Sequence, residues 1–128
     1  MSELDSAKYW YKELVEGLRL MASEYHVQKE SLPTFVHLPD EVLNALVIES
    51  FPTMLEHRLI NKHQFEVLTN FYNHLDEIEL PEDYDEMLQS LKSGEQFQNI
   101  RVQALKILES LGFNLEKPRI SAVYVKGS

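Results

Sequence analysis

The most constraining feature of the sequence is a helix signal that begins at Asn61. Asn61 is a predicted N-cap, and Gln64 stands three residues later, where it completes a capping box. Ile60 and Phe65 have the spacing of a hydrophobic staple across the same helix start. Apolar side chains then recur at steps of three and four residues, at Phe65, Leu68, Phe71, Tyr72, Leu75 and Ile78. The pattern predicts one amphipathic helix with a defined beginning.

A run of acid follows this helix directly, and residues 76–86 are called the acidic segment below. No Lys or Arg interrupts its seven carboxylates, which belong to Asp76, Glu77, Glu79, Glu82, Asp83, Asp85 and Glu86. The chain has 21 acidic and 12 basic residues and a net charge of −9. The 14 acids outside the segment against the 12 bases leave only −2. We therefore expect a nearly neutral body with one negative corner, which repels phosphate backbones and disfavours nucleic-acid binding.

The first half of the chain also has helical periodicity. Residues 2–26 have one apolar stripe and a cap at Ser2, so we expect a single long first helix. Residues 27–39 lack a period and predict a loop, with a short extended piece at residues 34–37. Pro39 is suited to open the next helix. Pro52 disfavours helix at the residue before it, so we expect a break there and a short helix that leads to Asn61.

Two further helices are predicted after the acidic segment begins. Pro81 is a natural helix start that would place Asp83 in the first turn. Ser93 and Gln96 have capping-box spacing and open the last helix, which ends at Gly112 in a left-handed C-cap. The sequence thus predicts an all-α, bundle-like single domain of five or six helices, with a core at about residues 2–113.

The tail from residue 114 to residue 128 has a different character. Apolar and small residues alternate over residues 120–125 after Pro118, which is compatible with a β-strand. We expect an extended tail that lies along the helices, pairs with residues 34–37, or adds to the sheet edge of another chain. The final Gly-Ser pair has the composition of a cloning remnant.

Composition excludes several classes of protein. The absence of cysteine excludes a disulfide framework, a thiolate metal site and a thiol nucleophile, and it fits a reducing cytoplasm. The N-terminus carries acids where a secretory signal carries bases and an apolar run. No window approaches the ~18 apolar residues that a membrane helix needs. We expect a soluble, cytoplasmic protein without a membrane anchor.

The residue patterns that usually carry catalysis or metal binding are weak. His63 and Glu66 could share a metal ion, but His74 lies roughly 16 Å further along the same helix, and a solvated polar face explains these residues better. Neighbouring acids at an exposed helix junction lack the burial that separates the pKa values of a catalytic pair. The serines form no nucleophile elbow, and the four glycines form no phosphate loop. We predict no enzymatic activity, cofactor or metal.

The acidic segment can be interpreted in two ways. It is either a solvated corner between helices or an electrostatic docking surface for a basic protein. Tyr72, Tyr84 and Met87 lie within or beside it, and aromatic residues among charges are typical of interface hot spots. The docking reading therefore assigns partner binding to the seven carboxylates together with Tyr72 and Tyr84.

The order of these elements resembles small helical immunity proteins of bacterial contact-dependent inhibition and related polymorphic-toxin systems. The similarity lies in LPDEVLNAL at residues 38–46, RLINKHQFEVLTNFYNHLDEI at 58–78 and EQFQNIRVQALKILESLGF at 95–113. The resemblance implies a cytoplasmic protein that binds and neutralises a cognate toxin, often a nuclease with a basic cleft. Two alternatives stay open. One is a helical adaptor or regulatory subunit, as a homodimer through the aromatic first helix or the C-terminal tail, and the other is a ligand-binding bundle with a cavity.

Overall fold

The computed structural model describes residues 2–120, and within them the chain forms seven α-helices and one 3₁₀ turn at Ile48–Ser50. The helices are α1 (Glu3–Ala22), α2 (Tyr25–Ser31), α3 (Leu38–Leu43), α4 (Phe51–Glu56), α5 (Lys62–Asp76), α6 (Tyr84–Ser93) and α7 (Glu95–Ser110). The predicted all-α fold is confirmed, with no strand among the described residues. The additional helix is α2, most of which lies in residues 27–39, where a loop is predicted. None of these helices combines the length and the apolar character that crossing a bilayer requires.

Helix α1 is the element around which the others pack. It contacts α2, α3 and α4, and most extensively α7, through a stripe of buried side chains at Ala7, Leu14, Leu18 and Met21. Gly17 allows the α3–α4 connection to approach closely, because a Cβ at this position would lie 2.6 Å from the carbonyl oxygen of Ala45. The second half of α1 is consequently buried on nearly all sides.

The division between α1 and α2 depends on a residue far away in the chain. Ser23 leaves the helical conformation, and the buried guanidinium of Arg101 donates from Nε to its carbonyl oxygen at 3.1 Å. The same guanidinium donates from Nη2 to the carbonyl oxygen of Leu91 near the end of α6. Arg101 thus holds the C-terminal carbonyls of two helices, where a cation is favoured. The predicted helix over residues 2–26 therefore ends earlier, at Ala22, and the predicted loop from residue 27 is wrong because α2 continues to Ser31.

Helices α3 and α5 begin where the sequence predicts. Pro39 stands in the first turn of α3. Asn61 Oδ1 accepts from the Gln64 backbone N–H at 2.7 Å, and Gln64 Oε1 accepts from the Asn61 N–H at 2.8 Å, so the capping box of α5 is complete. The end of α7 is also as predicted, because Gly112 has a φ of 90°. Its N–H and that of Phe113 donate to the carbonyls of Glu109 and Leu108, which is a Schellman motif.

Four local expectations are wrong. Phe51 is helical and begins α4 directly after the 3₁₀ turn, although a break is expected at this residue because Pro52 follows it. Helix α6 begins at Tyr84 rather than Pro81, because Asp83 is its N-cap and accepts from the Glu86 N–H at 3.1 Å. The predicted capping box at Ser93 is absent, since Ser93 belongs to α6 and donates to the Gln89 carbonyl, and Gly94 is the N-cap of α7. Residues 34–37 form a turn in place of an extended piece.

Residues 114–120 form neither helix nor strand and pack along α1. Arg19 holds this part of the tail, since its Nε donates to the Asn114 carbonyl at 3.1 Å and its Nη2 lies 3.2 Å from Glu116 Oε2. Glu16 is buried and pairs with Arg19 at 2.7 Å, and its second oxygen accepts from the Arg119 N–H at 2.8 Å. Most of the run predicted to be strand-like, from residue 121 onwards, lies outside the described residues.

Candidate functional site

The acidic segment forms the corner between the end of α5 and the start of α6. Asp76 closes α5 and Glu77 is its C-cap, Glu79 lies in the connection, and Asp83 is the N-cap of α6. All seven carboxylates are exposed, the remaining ones being Glu82, Asp85 and Glu86. Within residues 2–120 none of the seven forms an ion pair. The corner therefore presents its charge to solvent.

Helix stability explains only part of this charge. Asp83, Asp85 and Glu86 stand at the N-terminus of α6, where the helix dipole favours negative groups. Asp76 and Glu77 stand at the C-terminus of α5, where the unsatisfied carbonyls are already negative. A carboxylate at this end costs about 0.3–1 kcal/mol, so local stability gives no reason for either residue.

The first turn of α3 lies beside this corner, and the sequence reasoning did not include it. The backbone N–H of Asp40 donates to His37 Nδ1 at 3.3 Å, and the Asp40 carboxylate lies 3.1 Å from the same nitrogen. The His37 ring is 5.1 Å from the ring of Tyr84. Nothing local in the sequence indicates that this turn contacts α6.

Tyr72 and Asp76 line an open recess of about 250 Å³ between α3 and α5, called the acidic recess below. Its other lining residues are Asp40, Leu43, Asn44, Leu75, Ile78 and Leu80. Tyr72 is half-buried, and its ring packs edge-on against Phe51 at 6.5 Å. The recess adds the carboxylate of Asp40 to the predicted site.

Tyr84 lies on the other side of α3 and lines a smaller groove of about 150 Å³, called the apolar groove below. Its other lining residues are Tyr25, Lys29, Pro33, Thr34, Val36, Leu38 and Leu88. Phe35 and Tyr84 are each 43% exposed, which is high for aromatic side chains. The two tyrosines predicted to bind a partner thus belong to two different depressions, separated by the start of α3.

The other residues that the sequence offers for metal binding do not form a site in the described part of the chain. Within the described residues no group of three or more His, Asp or Glu side chains is placed to hold a metal ion. His63 instead lines a recess of about 290 Å³ between α5 and α7 with Lys106, Val67 and Leu111. This recess contains no arrangement of catalytic groups that the sequence indicates.

Comparison with known proteins gives no relative. No family model matches the chain, and neither a curated protein nor a solved structure is significantly similar to it.

Proposed function

We propose that the protein is a non-catalytic protein-binding domain that neutralises a cognate bacterial toxin by holding a basic surface of that toxin against the acidic segment. The observation that carries this proposal is the placement of Asp76 and Glu77. Both carboxylates are exposed, neither forms an ion pair within residues 2–120, and both lie at the helix end that disfavours them. A cost in stability that no intramolecular contact offsets is typical of residues kept for binding.

The chemistry of such binding follows from the corner. Lys and Arg side chains of a nuclease that otherwise contact phosphate would pair with the carboxylates, and the bound domain would block access to the cleft. A concentrated negative field also accelerates the encounter with a basic partner, and salt weakens that acceleration. Tyr72 and Tyr84 supply the aromatic contacts that anchor an interface.

A charge-reversal experiment tests the proposal. The test variant replaces Glu77, Glu79 and Glu82 by Lys, since none of these side chains caps a helix start or lines the two depressions. The matched control replaces Glu56, Glu66 and Glu109 by Lys. These three are also exposed, and they lie at or near the α5 N-terminal end of the molecule.

Partners captured from the source cell by the wild-type chain are identified, and their association rates are measured at low and high salt. We expect the test variant to associate at least tenfold more slowly and to lose protection against the toxin in a growth assay, because three Glu→Lys replacements reduce the charge of the acidic segment from −7 to −1. The control should behave as wild type. Equal association rates for the test variant and the control would contradict the proposal.

A second proposal is a helical adaptor that dimerises through α1. Tyr9 is 47% exposed and packs edge-on against Trp10, which lines a small recess with Val47. Light scattering on the full chain and on a Tyr9→Ser variant tests this proposal. A dimer that dissociates in the variant would favour it, and a monomeric wild-type chain would exclude it.

A further inference from the structure

We propose that the acidic recess and the apolar groove form one paired docking site that accepts a Lys or Arg side chain and an apolar side chain from the same partner segment. This inference rests on the proposed function and names the chemistry that the partner must present. It differs from a general attraction between charges, because it assigns each partner side chain to a defined depression.

The acidic recess is suited to the end of one basic side chain. Asp40 and Asp76 are its charged lining residues, and no Lys, Arg or His lines it, although His37 Nδ1 lies 3.1 Å from the Asp40 carboxylate. The amide nitrogen of Asn44 already donates to the Asp40 carbonyl at 2.8 Å, which leaves its Oδ1 as an acceptor. The recess thus offers mainly acceptors, which a guanidinium or ammonium group satisfies.

The size of the acidic recess and the apolar residues in its lining also favour a single side chain over a whole small molecule as its ligand. Its volume of about 250 Å³ is below the roughly 300 Å³ at which pockets for whole small molecules begin. Leu75, Ile78 and Leu80 provide apolar surface on which the methylene stem of Lys or Arg would lie, with its charged end at the carboxylates.

The apolar groove supplies the second contact. Val36, Leu38 and Leu88 lie in it, and Tyr84 stands exposed at its rim. Exposed aromatic side chains around a depression are the usual anchors of a protein interface. Lys29 also lines the groove, and Asp83 and Asp85 stand next to Tyr84 in the chain but not in the lining, so the groove complements an apolar side chain by its shape.

The geometry of α3 sets the distance between the two contacts. Leu38 lines the apolar groove and Asp40 lines the acidic recess, and residues two apart point to opposite sides of a helix. The depressions are therefore separated by about one helix diameter, roughly 10–12 Å. An extended segment advances about 3.3 Å per residue, so the apolar and the basic residue should stand three or four positions apart.

The test is selection of random dodecapeptides on the immobilised full chain. We expect enriched peptides to carry Lys or Arg three or four positions from an aromatic or large aliphatic residue. A selected peptide is then synthesised together with an analogue in which norleucine replaces the basic residue. The affinities of both peptides are measured by fluorescence anisotropy for the wild type and three variants. The first is the double variant Asp40→Asn and Asp76→Asn, the second is Tyr84→Ser, and the control is the double variant Glu66→Gln and Glu109→Gln.

The double Asn variant should bind the peptide at least tenfold more weakly and bind the norleucine analogue as wild type does. Tyr84→Ser should weaken both ligands, and the control neither. Absence of enrichment, peptides without a basic residue, or a double Asn variant that binds normally would overturn the proposal. If the double Asn variant retains the whole partner while the Glu77, Glu79 and Glu82 variant loses it, the paired site is wrong and the proposed function stands.

Discussion

Neutralising two pairs of carboxylates at opposite helix ends should change stability in opposite directions. The double variant Asp76→Asn and Glu77→Gln removes two negative charges from the C-terminus of α5. The double variant Asp85→Asn and Glu86→Gln removes two from the N-terminus of α6. All four side chains are exposed, and each replacement keeps the shape of the original, so the two variants differ in where the charge is lost.

The magnitude follows from the helix dipole. Each charge near a helix terminus contributes about 0.3–1 kcal/mol, so the α5 variant should gain roughly 0.6–2 kcal/mol in unfolding free energy and the α6 variant should lose a similar amount. Both variants also relieve repulsion within the acidic segment, which raises the stability of each. The difference between them, roughly 1.2–4 kcal/mol, is therefore the informative quantity.

Urea unfolding followed by circular dichroism measures this difference. With a denaturant slope of about 2 kcal/mol/M, the two midpoints should differ by roughly 0.6–2 M. In about 1 M salt, where the screening length falls to roughly 3 Å, the difference should shrink. Glu66→Gln, in the interior of α5, is the control and should change little. Equal midpoint shifts in the two variants would refute the dipole argument and remove the main support for a binding role of Asp76 and Glu77.

Three further predictions concern the fold. Arg58 has a φ of 61°, so Arg58→Gly should raise the free energy of unfolding by about 0.5 kcal/mol, and Arg58→Ala should leave it unchanged. Gly112→Ala should lower it by about 1 kcal/mol, as measured by thermal unfolding. Arg101→Met keeps the side-chain volume but leaves two helix-end carbonyls without their donor. Urea unfolding should therefore show a free energy of unfolding that is lower by about 2–4 kcal/mol, and a decrease under about 1 kcal/mol would contradict the role assigned to Arg101. Burial raises the pKa of Tyr11 above its ordinary 10.0, so its contribution to stability is present below that pH and is lost as pH rises through the raised value. Tyr11→Phe should therefore lose less stability than wild type between about pH 9 and pH 11.

The parts of the fold that the sequence predicts are those fixed by neighbouring residues. The capping box of α5 and the glycine that ends α7 each involve groups within a few positions of one another. Such contacts can be read from spacing alone. The acidic segment was found in the same way, because its charge is contiguous in the chain.

The parts that were not predicted depend on distant residues. The break after Ala22 has no Gly or Pro to announce it, and Arg101, which stabilises it, is 78 positions away from Ser23. Helix α6 begins at Tyr84 because Asp83 is its N-cap, although Pro81, two residues before Asp83, is the expected start. Asp40 was missed as part of the site because its neighbourhood to Asp76 exists only after α3 has packed beside α5.

The bond between Glu16 and the backbone of Arg119 joins positions 103 residues apart, and it sets an order of events during synthesis. Helix α1 leaves the ribosome before α7 and the part of the tail that complete its burial. Until Arg119 has emerged, the Glu16 carboxylate lacks one of its two donors, and the stripe of α1 that contacts α7 stays open to solvent. Nascent chains in which Arg119 has not yet emerged should therefore be held by chaperones or degraded.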